Sequence, residues 1–87
     1  MEKIIRDPTV AGREIDGRAY VVVPGENLLC ELNGMGTFIW KLLRRARSID
    51  YLVSKICKRY EVSVSVARED ISDFIALLEK RKVVRKV

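Results

Sequence analysis

The 87-residue sequence has no histidine, only two cysteines, and no apolar run long enough to span a bilayer. Without an imidazole, a histidine-dependent zinc site, a Ser-His-Asp triad and a Cys-His nucleophile pair are excluded within this chain. Cys30 and Cys57 stand 27 positions apart, so they form neither a CxxC motif nor a disulfide framework of the kind small secreted domains use. They read as structural residues of a reduced, cytoplasmic chain, and no metal or other cofactor is assigned. The opening residues Met1–Pro8 carry acidic groups and no apolar core, unlike a signal peptide or membrane anchor. Asp70 and Asp73 form a carboxylate pair three positions apart, but no nucleophile or cofactor motif accompanies them. No catalytic residue is therefore assigned, and an enzyme is not expected.

What is present supports one packed domain over residues 1–87. Hydrophobic residues make up 48% of the chain and charged residues 33%, enough for a core under a solvated surface. Asp16-Gly17, between Val10–Ile15 and Ala19–Val23, is a strong two-residue hairpin signal. Pro24-Gly25 suits a type II turn, and Leu28–Leu32 follows as a third strand. If strand order follows chain order, that strand is an edge with one row of backbone groups unpaired. Period-two alternation puts Leu28, Cys30 and Leu32 on one face and Leu29 and Glu31 on the other, without saying which meets the rest of the protein.

From Asn33, a plausible N-cap, the period lengthens to that of a helix. Met35, Phe38, Ile39, Leu42 and Leu43 give a first helix to about Arg45. Ser48 caps a second, with Ile49, Leu52, Val53, Ile56, Cys57 and Tyr60 on its buried face. Ser65 is expected to cap a third, whose core face is Ala67, Ile71, Ile75 and Leu78. Asp70, Phe74, Leu77 and Arg81 share a second margin of that helix, offset by roughly 90° from the core direction. Leu77 either belongs to that margin or packs under Val83 and Val84, and Phe74 is either core or groove. Val83–Val87 extends the helix, docks as a short strand, or frays. Trp40, off the main stripe of the first helix, either covers the sheet or seats a partner. Gly34 and Gly36 permit close backbone approach or fray the helix start. The order is βββααα, an α+β fold with a three-stranded antiparallel sheet, similar in outline to a winged helix-turn-helix.

The net charge of +5 is uneven. Residues 41–60 hold seven basic side chains against Asp50, whereas residues 61–80 hold two against five acidic. A winged-helix nucleic-acid binder is the alternative reading of that basic segment. Against it, the early turns of the third helix would approach the duplex, and there Arg68 faces Glu69, Asp70 and Asp73.

The run Val21–Trp40 joins an edge strand to a capped helix through Leu32-Asn33. With Ser48–Val53, Tyr60–Val62 and Asp70–Leu78 in order, it resembles the PqqD family, also called RiPP recognition elements, over about residues 15–84. The resemblance implies a non-catalytic domain that takes the leader segment of a ribosomally made precursor peptide as an added strand on the third strand, beside the third helix. The expected binding residues are Leu28, Leu29, Cys30, Glu31 and Leu32 with Asp70, Phe74, Leu77 and Arg81. It implies two partners, the precursor peptide and a modifying enzyme such as a radical S-adenosylmethionine maturase or a leader peptidase and cyclase. No membrane partner is expected. Arg45-Ala46-Arg47 departs from the glycine that many relatives carry there. A purely structural subunit whose edge pairs with itself, as a homodimer, uses the same strand.

Overall fold

A computed structural model describes residues 2–87. Five strands and three helices follow in the order β1 (Ile4–Arg6), β2 (Gly12–Ile15), β3 (Arg18–Val23), β4 (Leu28–Glu31), α1 (Gly34–Leu42), α2 (Ile49–Arg59), α3 (Val64–Lys80) and β5 (Val84–Lys86). The expected three-stranded meander is β2-β3-β4, antiparallel and in chain order, so β2 and β4 are its edges. Its turns have the expected chemistry. Asp16 and Gly17 both take positive φ, as a type I′ hairpin requires. Gly25 takes φ +78°, and the Glu26 amide donates to the Val23 carbonyl, closing a type II turn.

Three features depart from expectation. The meander is accompanied by a second sheet, in which β1 and β5 pair antiparallel through Ile4↔Lys86, Ile5↔Arg85 and Arg6↔Val84. Val83–Val87 therefore docks as a strand, and its partner lies at the opposite end of the chain. The other side of β1 is bonded to the α1–α2 connection, where Ile4 and Arg47 exchange backbone bonds of 2.7 and 2.8 Å. That pairing occupies the backbone of Arg47, the Arg6 amide donates to the Leu43 carbonyl, and α1 ends at Leu42 rather than near Arg45. The third correction concerns α3, whose N-cap is Ser63 and not Ser65. The Ser63 hydroxyl accepts from the Val66 amide, and the helix begins at Val64.

One core joins the pieces. Ala19, Val21 and Val23 face inward from β3, and Ala67, Ile71, Ile75 and Leu78 form the buried face of α3, as their spacing indicates. Trp40 covers the sheet: it is 8% exposed, and the Arg6 guanidinium stacks 4.0 Å from its ring centre. A Cβ at Gly12 would stand 2.7 Å from the indole, so this sheet position requires glycine. The C-terminus of α3 is a Schellman turn, with Val83 donating to Leu78, Lys82 donating to Glu79, and Lys82 itself at φ +63°. That turn directs Val83 and Val84 inward and leaves Leu77 outside, 48% exposed.

The junction between β4 and α1 rests on Thr37, which is 3% exposed. The last β3–β4 rung is half made by backbone, from the Leu32 amide to the Ala19 carbonyl. The Thr37 hydroxyl completes the other half, accepting from the Ala19 amide at 2.8 Å and donating to the Leu32 carbonyl at 3.3 Å. Asn33 caps α1 through its side-chain oxygen, which accepts from the Gly36 amide at 2.7 Å.

Candidate functional site

The rung between Leu32 and Ala19 fixes the polarity of β4. In an antiparallel ladder, residues alternate between bonding the neighbour and pointing their backbone groups away. With Leu32 bonded to β3 and the register Val21↔Cys30 and Val23↔Leu28, the bonded set is Leu28, Cys30 and Leu32. Leu29 and Glu31 consequently direct N–H and C=O toward the free edge. Side chains follow the same alternation. Leu28, Cys30 and Leu32 lie on the helix side with Ala19, Val21 and Val23, and Leu29 and Glu31 lie on the outer face. Leu32 is buried and Cys30 half-buried, whereas Leu29 is 60% exposed. Glu31 is tied to Arg18 at 2.8 Å, a charged hydrogen bond that raises the arginine's already high pKa.

Along α3, Asp70 and Leu77 are exposed while Phe74 and Arg81 are half-buried, and spacings of four, three and four place them on one margin. Phe74 is shared between core and surface. Its ring touches α1 at Gly36, where a Cβ would come within 3.1 Å, so the glycine there serves close approach.

Two concavities flank the margin. One, of about 260 Å³, lies between the start of α1 and the middle of α3 and is lined by Asn33, Met35, Gly36, Ile39, Asp70, Asp73 and Phe74. The other, of about 460 Å³, lies between the β3–β4 turn and the end of α3 and is lined by Pro24, Glu26, Leu28, Leu77, Lys80, Arg81 and Lys82. Of the nine expected residues, the first concavity gathers Asp70 and Phe74, and the second gathers Leu28, Leu77 and Arg81. Leu29 and Glu31 contribute edge backbone, Cys30 lies between the ends, and the Leu32 side chain belongs to the core. Sequence reasoning passed over Met35, Asp73, Lys80 and Lys82 as groove residues. Lys80 and Lys82 read equally well as ordinary cations at a helix C-terminus, and only the proximity of Leu28 reveals their second setting.

Four of the seven basic side chains of segment 41–60 are engaged within the protein. Lys41 bridges Glu14 at 3.2 Å, Arg47 and Lys55 lie over the Tyr51 ring, and Arg59 lies over Phe38. Arg68, the base at the start of α3, bridges Asp50 at 2.7 Å. No helix of the described residues is long and apolar enough to cross a membrane.

The family model for coenzyme PQQ synthesis protein D (PqqD) matches residues 19–84, from β3 to the first residue of β5. The chain belongs to the PqqD family. The fold also matches a solved structure described as TbiB1 in complex with the TbiA(beta) leader peptide, with a TM-score of 0.85 at 22% identity, covering 93% of this chain and 94% of that one. No curated protein matches the sequence. The match leaves the β2-β3-β4 meander and three helices of this PqqD-family chain as an α+β fold shared with TbiB1.

Proposed function

We propose that this PqqD-family protein is a non-catalytic carrier that binds the leader segment of a ribosomally synthesised precursor peptide and presents its core to a modifying enzyme. The leader adds as a strand to β4, between the edge and the Asp70–Arg81 margin of α3. The observation that carries the reading is the free β4 edge, with the Leu29 and Glu31 backbone groups directed outward beside a helix margin that has pockets at both ends. A peptide docking there gains main-chain hydrogen bonds from groups that lack a sheet partner, and its alternate side chains reach the pockets. The family match and the likeness to a protein solved with a leader peptide support the same reading.

The contribution is proximity. Once the leader is held, encounter of the core with the enzyme becomes effectively intramolecular, so a modest affinity suffices for efficient delivery. The receiving enzyme is a radical S-adenosylmethionine maturase or a leader peptidase with its cyclase, and the setting is the cytoplasm. The deciding experiment is an amide NMR titration with leaders of short precursors encoded beside the gene, at two salt concentrations. Shifts concentrated in Leu28–Leu32 and along Asp70–Arg81 are expected. Silence with those peptides, together with salt-sensitive shifts of Lys41–Arg59 on adding duplex DNA, would replace leader capture by nucleic-acid binding.

A further inference from the structure

The groove beside β4 is electrically ordered from end to end. Asp70 and Asp73 stand at the Asn33 end with no basic side chain lining that concavity. Lys80, Arg81 and Lys82 stand at the Leu28 end against a single acid, Glu26. Two measures of the separation agree. The midpoint of Asp70 and Asp73 and that of Lys80 and its C-cap neighbour Arg81 are about 14 Å apart at the helical rise, and Leu28 to Asn33 spans about 17 Å of extended chain. The charge order of the helix thus runs alongside the strand over nearly the strand's own length, about four residues of a docked peptide.

Building on the leader-capture reading, the geometry points to a leader recognised by the order of its charges: a basic residue, an apolar residue two positions later, and an acidic residue two positions after that. Antiparallel addition, the more stable pairing, sets the peptide's upstream end against Leu32 and its downstream end against Leu28. Residues opposite Leu32, Cys30 and Leu28 share their helix-side face. The first meets Asp70 and Asp73, the second meets Phe74 and Leu77, and the third meets Lys80, Arg81 and Lys82. The two intervening residues pair with Glu31 and Leu29 through the outward backbone groups and point their side chains to the outer face. Direction and register are therefore both selected, because a reversed strand sets like charges together and a strand slipped by two residues sets a charge against Phe74 and Leu77.

The test is selection of a displayed library of random peptides on the intact protein, followed by amide shift mapping of the winners. Winners carrying the basic, apolar, acidic order are expected, and exchanging their two charged residues weakens binding about fivefold or more. A charge-swapped variant, Asp70→Lys with Asp73→Lys, Lys80→Glu and Arg81→Glu, is expected to prefer the exchanged peptide. These side chains are exposed or half-buried at the surface; should the variant nevertheless lose its circular dichroism spectrum, the peptide exchange on unaltered protein decides alone. Winners that shift the Leu29 and Glu31 amides but share no charge order overturn this inference and leave leader capture standing. A selection whose peptides never perturb Leu28–Leu32 overturns both.

Discussion

Thr37→Val is the most incisive perturbation of the scaffold, because it changes one hydroxyl to a methyl of nearly the same volume. Two buried groups depend on that hydroxyl: the Ala19 amide, which donates to it at 2.8 Å, and the Leu32 carbonyl, which accepts from it at 3.3 Å. Leaving a buried amide without an acceptor costs about 1–3 kcal/mol. The longer bond to Leu32 adds up to roughly 1 kcal/mol, so the expected total is about 1–4 kcal/mol. A domain of this length has about 4–13 kcal/mol in all, so the loss is a large fraction. Equilibrium unfolding in urea, followed by the fluorescence of the single buried Trp40, measures it directly. The midpoint should fall with an unchanged slope. Thr37→Ser, which keeps the hydroxyl, should lose about 1 kcal/mol or less. A Thr37→Val protein within about 0.5 kcal/mol of the parent would mean that the sheet closes its last rung without Thr37, and the account of the β4–α1 junction would be wrong.

Leu29→Pro removes an N–H that the fold leaves pointing outward, so peptide affinity should fall about two- to twelvefold, the equivalent of one backbone hydrogen bond, by fluorescence anisotropy with a leader that binds the parent. Cys30→Pro removes an inward N–H and should instead destabilise the sheet in urea; equal effects of the two on binding, with both folded, would contradict the assigned polarity. Ser63→Ala should lower stability by about 1 kcal/mol while Ser65→Ala changes it little, a difference readable by thermal unfolding. The Asp7 carboxylate accepts from the Thr9 hydroxyl and amide and lies near Arg85, in that order of effect, which holds its pKa below the usual carboxylate value. Its contribution to stability is therefore present above the ordinary carboxylate pKa and lost as pH falls through the depressed one. Carboxyl NMR titration should show Thr9→Ala moving that pKa upward, and an unchanged value would remove the Thr9 hydroxyl as its leading cause, since the backbone amide persists in the variant.

How much of this was readable in advance follows from the range of the interactions involved. The β2-β3-β4 meander announces itself locally, through Asp16-Gly17, Pro24-Gly25 and alternating apolar residues. The core face of α3 is equally local, since Ala67, Ile71, Ile75 and Leu78 obey one helical period and all four are buried. β1 and β5 are three residues each, too short for any period to register, and their pairing joins opposite ends of the chain. Val62–Val66 alternates valine with two serines, and nothing in that pattern favours Ser63 over Ser65 as the cap. In the candidate groove, the edge strand and the Asp70–Arg81 margin were legible from turns and helical arithmetic. The burial of Leu32 and the approach of Lys80 and Lys82 to Leu28 were not, because they arise from how strand and helix are set against each other.

The pairing of β1 with β5 has a mechanical consequence. Because the strands are antiparallel and the Val87 amide donates to the Lys3 carbonyl, the two ends of the described chain emerge side by side. Tension between a tether at one end and a tether at the other loads this clasp in peeling geometry, one rung at a time. Ile4, Val83 and Val84, buried beneath it, supply the resistance. A strand lying along β4 and pulled lengthwise is loaded in shear, with its rungs bearing force together. The same small fold thus offers a compliant attachment at its ends and a stiff one along its edge.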